Sequence, residues 1–266
     1  MAGGIALLLC FVFWACIPTQ PQPDSEAMNQ LAPSGKIRFG VAFAPEQSTF
    51  FIEKTAAGEL RGVTVDLANE LAQAVGRPIE FTAAPNTGVL TDALVAGTLD
   101  AAFMPVDDER RGKLGVGPIY FTALNTYLVR PGSDITTIAE VDRPGIRVIG
   151  IAGTTTIRST AVALKRTKVE PAESVDVALE MLRSGQADAF ALTHDTLRSL
   201  SPRVPGSRIL EGSFREISIA IVVPKNRPES LAYVGQWLES AKASGSVRRA
   251  FDRWGFANAD VAPPSR

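Results

Sequence analysis

ALVAGTLDAAFM (93–104) and MLRSGQADAFAL (181–192) are one pattern written twice. Leu94 and Leu182, Gly97 and Gly185, and Asp100 and Asp188 fall at equivalent places. In each copy a helix ends at the glycine, the usual residue past a helix C-terminus, and an apolar strand begins after the aspartate. A charged cluster follows each strand: Asp107, Asp108, Glu109 and Arg110 after the first, His194 and Asp195 after the second. Ligands of open α/β sheets bind beyond the carboxyl ends of the strands. Two such units in two lobes therefore aim both clusters at one cleft. Arginine on one wall and aspartate on the other suit a ligand that carries both charges.

Outward from the first copy, IRFGVAF (37–43) and IEFTAA (79–84) read as strands. Between them, Leu67, Leu71 and Val75 recur every four residues and predict a helix over 65–75, stopped by Gly76 and Pro78. Residues 46–62 read as irregular and 88–96 as a helix. TYLVRPG (126–132) reads as a strand leaving the first lobe. A second series follows: a strand at 146–152, a helix in the tail of GTTTIRSTAVALKR (153–166), a strand at 168–171, a helix at 174–185 and the repeat strand at 187–192. SRIL (207–210) comes next. EISIAIVVPK (216–225) crosses back, and helices at 228–243 and 245–254 rejoin the first lobe. The expected class is α/β with two lobes, each a central sheet flanked by helices. Lobe 1 takes residues 35–127 and 224–258, lobe 2 residues 128–223. Two linker strands between lobes form a natural hinge.

The 266 residues are 45% apolar and 21% charged, with a formal net charge of −1. That balance gives no electrostatic case for nucleic acid or an anionic membrane surface. His194 is the one histidine, and both cysteines, Cys10 and Cys16, lie at the start of the chain. The rest has no material for a disulfide or a structural zinc site, and no cofactor or metal is expected. The apolar run IALLLCFVFWACI (5–17) falls short of the about 20 residues a membrane span needs and suits an export signal over 1–16. Ala15 before Cys16 is the setting in which lipoproteins are cut and acylated, so a lipid anchor at Cys16 is one expectation. Phe13 and Trp14 are bulky for that setting and a basic start is missing, so an inner-membrane anchor or a misplaced start remains an alternative. Residues 17–34 read as a flexible tether.

Each residue singled out has a plainer alternative. Arg110 suits a carboxylate through two parallel N–H···O bonds, or is a solvated arginine. Asp195 suits a ligand ammonium, or caps a helix over 196–200. Thr154, Thr155 and Thr156 follow Gly153 at a strand-to-helix turn whose free amides favour anions, or cap that helix. Phe50 and Phe51 sandwich an apolar ligand body, or pack in the core. Asn86 and Thr87 hydrogen-bond a ligand, or form a turn. His194 has only its neighbour Asp195 to recommend it. The chain has no GxSxG, GxxxxGK[ST] or HExxH motif, and one histidine without body cysteines leaves little for a nucleophile system.

IRFGVAF, GELRGVTVDLANELAQAVG (58–76), ALVAGTLDAAF, DDERR and PIYF, with GTT at 153–155, SVDVALEMLRSGQADAFALTHD (174–195) and IAIVVPK, resemble the bacterial extracellular solute-binding proteins of family 3. The likeness runs over residues 35–256. It implies a type II periplasmic-binding-protein fold that closes on an amino acid for an ABC importer. It also implies that Arg110 holds the ligand α-carboxylate, Asp195 its amine, and Thr155 adds hydroxyl and backbone contacts. Asp107, in the charged cluster after the first repeat strand, is a further candidate for ligand contact. The chain departs from the family pattern in three places. The stretch before Arg110 is shorter, Gly115-Val116-Gly117 stands for Asp-Phe-Ser, and the loop of the aromatic clamp is longer. These leave open a solute other than a standard amino acid.

Two functions are therefore expected. The first is a monomeric, non-catalytic periplasmic protein that captures a small amino-acid-like or carboxylate solute for an importer permease. The second is a secreted enzyme on the same scaffold, resembling cyclohexadienyl dehydratases, with Glu46, Asp107 or His194 as general acid.

Overall fold

The computed structural model describes residues 24–265. Helix α1 (Ser25–Leu31) is followed by β1 (Ile37–Ala42), the short strands β2 (Glu53–Lys54) and β3 (Leu60–Arg61), α2 (Val63–Val75), β4 (Ile79–Ala84), α3 (Thr87–Val95), β5 (Ala101–Val106) and α4 (Asp108–Lys113). The long strand β6 (Leu114–Val129) leads to α5 (Ile138–Val141), β7 (Val148–Ile151), α6 (Thr155–Ala163), β8 (Val169–Ala172), α7 (Val175–Arg183), β9 (Ala189–Thr193) and α8 (His194–Leu200). Then come β10 (Arg208–Ile209), the long β11 (Arg215–Pro224), α9 (Pro228–Ala243), α10 (Ser246–Arg253) and β12 (Asp260–Val261).

The strands run in the order β4-β1-β5-β11-β6-β9-β7-β8, with β10 and β12 also paired to β6. β1 lies between β4 and β5, parallel to both, and β7 lies between β8 and β9, parallel to both. The repeat strands β5 and β9 each adjoin a crossing strand in antiparallel pairing. β6 pairs with β11 along Leu114–Asn125 and with β9 along Asn125–Val129. The α/β class with two flanked half-sheets is thus the one expected. The expected crossing strand at 126–132 is the end of a strand that starts twelve residues earlier, at Leu114.

The repeat is a structural one. Gly97 and Gly185 follow α3 and α7 with φ of +70° and +72°, a backbone that side chains beyond glycine adopt at a cost. Asp100 and Asp188 both turn inward. Asp100 accepts from the Arg38 amide at 2.8 Å, from its Nε at 2.9 Å and from its Nη2 at 2.6 Å, and from Arg227 Nη1 at 2.6 Å. Asp188 accepts from the Arg147 amide at 3.0 Å, from its Nε and Nη2 at 2.9 Å, and from Arg130 Nε at 2.8 Å. Arg38 and Arg147 hold the same place in IRFGVA and IRVIGI, so the pattern extends to the neighbouring strand. Burial works against ionisation of Asp188, but the bonds from Arg147 and Arg130 outweigh it and hold its carboxyl well below the usual carboxylate range.

The core of the first half stacks Phe39 on Phe103 and Phe103 on Tyr120, with ring centroids 5.5 and 4.8 Å apart. α9 buries Trp237 and Leu238, packing on β6 and β11, while α10 buries Phe251 against Phe121. The tether reading fails from residue 24 onward. Asp24 caps α1, Ala27 and Leu31 are buried, and Gln30 Oε1 accepts from the amides of Glu229 and Ser230 at the start of α9. Docking supplies the order that this polar stretch lacks alone. The export signal, Cys16 and residues 17–23 lie outside the described residues. Among the described residues no helix is long and apolar enough to cross a membrane.

Candidate functional site

The two halves meet where the N-termini of α3 and α6 approach each other. An ideal Cβ on Gly88 would lie 3.0 Å from the Gly153 Cα, so only two glycines let these backbones touch. Arg110 sits beside that contact. Asp107 caps α4 by accepting from the Arg110 amide at 3.0 Å, and the side chain folds back under β5. Arg110 is 1% exposed. Its Nη1 donates to the Pro105 carbonyl at 2.6 Å, and its Nη2 to Thr87 Oγ1 at 2.6 Å and to the Gly153 carbonyl of the other half at 3.1 Å. Its Nε has no partner. Burial lowers its pKa to about 10, and repulsion from Arg158 adds to this, while Asp107 and Glu109 oppose it. At neutral pH it is therefore a buried cation bonded only to neutral acceptors.

Thr87 and Pro105 also line a cavity of about 20 Å³ between the halves, room for about one water. Phe50 and Phe51 close it from the first half, Thr154, Thr156, Leu192 and Thr193 from the second, and Phe121, Ala123, Ile217 and Ile219 of the crossing strands form its floor. The two phenylalanine rings meet edge to face at 5.2 Å. Ser48 Oγ accepts from both their amides, at 3.2 and 3.0 Å. It also accepts from Thr196 Oγ1 at 3.0 Å, which in turn accepts from Thr193 Oγ1 at 2.7 Å. A chain of three hydroxyls thus ties the aromatic loop to the far half.

The other expected residues take definite places. Thr154 caps α6, accepting from the Ile157 amide at 3.2 Å and donating to the Ile151 carbonyl at 2.7 Å. Thr155 Oγ1 is buried without a partner, and Thr155 faces a neighbouring groove shared with Asp107 and Arg158. Asn86 caps α3 and donates to the Glu173 carbonyl across the halves at 3.1 Å. Asp107 accepts from Arg158 Nε at 2.7 Å, another link across the halves. Burial of Asp107 disfavours its charge, but the bonds from Arg158 and the Arg110 amide prevail and lower its pKa.

Asp195 is the correction. It does not line the cavity. Strand β9 ends at Thr193, so Thr193 is the residue presented at the carboxyl end. Asp195 lies two residues further round the first turn of α8, about 200° away at 3.6 residues per turn. Its side chain is 39% exposed, 3.5 Å from His194 Nδ1, in a separate depression with Thr49, Arg198, Phe256 and Asn258. Nor is it the N-cap, which is Thr193. Ser48, Thr193 and Thr196 were not anticipated, because a lone hydroxyl carries no sequence signal. Among the described residues no group of three or more His, Cys, Asp or Glu side chains is placed to hold a metal ion.

An α/β body of two halves, joined by long antiparallel strands and closed over a buried arginine, is the fold of type II periplasmic binding proteins. Residues 40–257 match the bacterial extracellular solute-binding proteins, family 3, and the chain belongs to that family. It is 22% identical over 241 residues to the glutamine-binding protein of an ABC transporter from Bacillus subtilis (strain 168), covering 88% of this chain and 86% of that protein. In fold it is similar to a mutant of the arginine-binding protein ArgBP from T. maritima, with a TM-score of 0.75 and 24% identity over 86% of this chain and 99% of that one. It is similar too to AncCDT-1, an ancestral amino acid-binding protein and precursor of cyclohexadienyl dehydratase, with a TM-score of 0.74 and 24% identity over 85% and 98%.

Proposed function

We propose that the protein is a periplasmic solute-binding component of an ABC importer that captures a small carboxylate-bearing solute between its halves. The observation that carries this reading is Arg110, a buried cation with an unpartnered Nε and no carboxylate of its own. A charge held out of water costs several kcal/mol without a counter-charge. A carboxylate replaces neutral acceptors with charge-assisted ones at that point. The glutamine-binding relative supports a solute of this size. The proposed moving bodies are residues 35–127 with 224–258, and residues 128–223.

Isothermal titration against a panel of carboxylates is the test, repeated with Arg110→Ala. Each charge-assisted bond contributes about 1.5–3 kcal/mol, so the variant loses at least tenfold in affinity. Unchanged affinity for the same solute refutes the role given to Arg110.

We further infer that the protein is a monomer exported by residues 1–16 that meets a permease. In this reading Cys16 carries the lipid anchor. Palmitate labelling of the full chain against Cys16→Ser tests that anchor. The protein is read as a binder rather than an enzyme. Glu46 is occupied with Arg203 at 3.4 Å on the surface, and His194 lies with Asp195 away from the cavity. Asp107 is held ionised, the opposite of what a general acid requires. Incubation with prephenate or arogenate, followed by absorbance, tests this, and turnover overturns it.

A further inference from the structure

We infer that the pocket selects an anion with an uncharged apolar body over a zwitterionic amino acid. This rests on the reading of Arg110 as the carboxylate anchor and goes beyond it, because it concerns what the rest of the cavity accepts. Among the described residues, no Asp or Glu lines the cavity. The carboxylates close to it in sequence are spoken for. Asp107 holds Arg158 and the Arg110 amide, and Glu109 holds Lys113 and Arg158. Glu46 pairs with Arg203, and Asp195 lies in the separate depression.

Several neutral acceptors are engaged as well; Thr193 Oγ1 donates to Thr196 and keeps its lone pairs, but offers no charge. The Pro105 and Gly153 carbonyls and Thr87 Oγ1 accept from Arg110, the Ile151 carbonyl from Thr154, and Thr196 Oγ1 from Thr193. A ligand ammonium would therefore lose its water without a counter-charge, beside a guanidinium of the same sign. The apolar walls are Phe50, Phe51, Phe121, Leu192, Ile217 and Ile219, beside Thr154 and Thr156, and they favour a hydrocarbon or aromatic body. Thr193 stands at the carboxyl end of β9, where a carboxylate would reach an amine, and carries only a hydroxyl already bound to Thr196.

The experiment is isothermal titration of the purified protein with matched pairs: 3-phenylpropionate against L-phenylalanine, 4-methylpentanoate against L-leucine, and 4-carbamoylbutanoate against L-glutamine. In the pairs that bind, the des-amino member is expected to be tighter by roughly tenfold or more, since an unpaired buried charge is what separates them. Thr193→Asp is expected to narrow or invert that preference, and to lower the unfolding temperature without solute, because it removes the hydroxyl bond to Thr196 and buries a carboxylate. Tighter or equal binding of the amino acids by the wild type overturns the inference, as does an absence of binding by every des-amino acid. Arg110→Ala separates the two readings. If it leaves a bound des-amino acid unaffected, the anchor is wrong. If it abolishes binding of both members of a pair that the wild type holds equally, only the selectivity is wrong.

Discussion

Gly88→Ala places one methyl group in the seam between the halves. Gly88 lies in the first turn of α3 and its φ is not positive, so alanine fits its backbone. Within its own half the nearest atom to the new Cβ is the Asn86 cap oxygen, at 3.0 Å, the end of a side chain that can turn slightly. Across the seam it meets the Gly153 Cα at 3.0 Å and the Gly153 carbonyl at 3.3 Å. Both are backbone atoms and cannot yield alone. Overpacking of this kind costs about 1–3 kcal/mol, and the cost falls on the closed form only. Alanine in place of glycine in a helix otherwise contributes up to about 1 kcal/mol of stability. Solute affinity should therefore drop by roughly 5- to 150-fold, while the unfolding temperature without solute stays level or rises. Titration calorimetry with a solute from the carboxylate panel, paired with thermal unfolding, reads both quantities. Unchanged affinity would show that the bound form does not bring these two backbones together. A fall in both quantities would show that the methyl damages the half itself.

Three further outcomes follow from the charges. Arg158→Ala removes the links to Asp107 and Glu109 across the seam; these are part-exposed pairs worth about 0.5–1 kcal/mol. The affinity loss should be a few-fold and should vanish at high salt, which titration at two ionic strengths checks. Asp107 has a depressed pKa, so its share of closure is complete above its ordinary value of 3.8 and is lost as pH falls through the lowered one. Affinity measured against pH should be flat down to about 5 and fall below that, and the part of this fall due to Asp107 should be lost in Arg158→Ala, where its partner across the seam is gone. Asp100→Asn strands two arginines around a fully buried side chain and should cost about 3 kcal/mol in chemical denaturation. Asp188→Asn, whose arginines are half in water, should cost about 1–2 kcal/mol.

Much of the fold can be read from the chain, and the failures have local causes. Helices with a clear period and a glycine or proline stop fall within two residues of expectation, as in α2, and α9 starts at Pro228 as expected. β6 hides because LGVGP (114–118) looks like a turn. Its glycines serve close packing instead: a Cβ at Gly117 would come within 2.8 Å of Ile221 on β11, and one at Gly115 within 3.1 Å of Val223. α1 hides because its order comes from α9, some 200 residues away in the chain. In the site, Arg110 is picked out by its place after a repeat strand and by the family resemblance, and the structure buries it at the seam between the halves. Asp195 misleads because a charge near a strand end looks equivalent to one at the strand end. Where β9 stops is set by its pairing with β6, through Thr193 and Asn125, and a single residue of register decides which side chain enters the cavity.

The two ends of the strands divide the work. At their starts, Asp100 gathers Arg38 and Arg227 while Asp188 gathers Arg147 and Arg130. Arg227 comes just after β11 and Arg130 just after β6. Each crossing strand is thus pinned to the half it enters by a cluster that lies wholly within that half. At the carboxyl ends the opposite holds: Asp107 to Arg158, Asn86 to Glu173, Ser48 to Thr196 and Arg110 to Gly153 all join one half to the other. An opening motion about the crossing strands would break the second set and leave the first intact. The bending would then fall between the pins, where the pairing of β11 with β6 slips register between Ile219 and Val222. A stiff frame at one end and reversible contacts at the other are what rigid-body closure on a solute requires. The repeated unit contributes to both: its aspartates Asp100 and Asp188 anchor the frame, and Asp107, Arg110 and Thr196, after its strands, reach across the cleft.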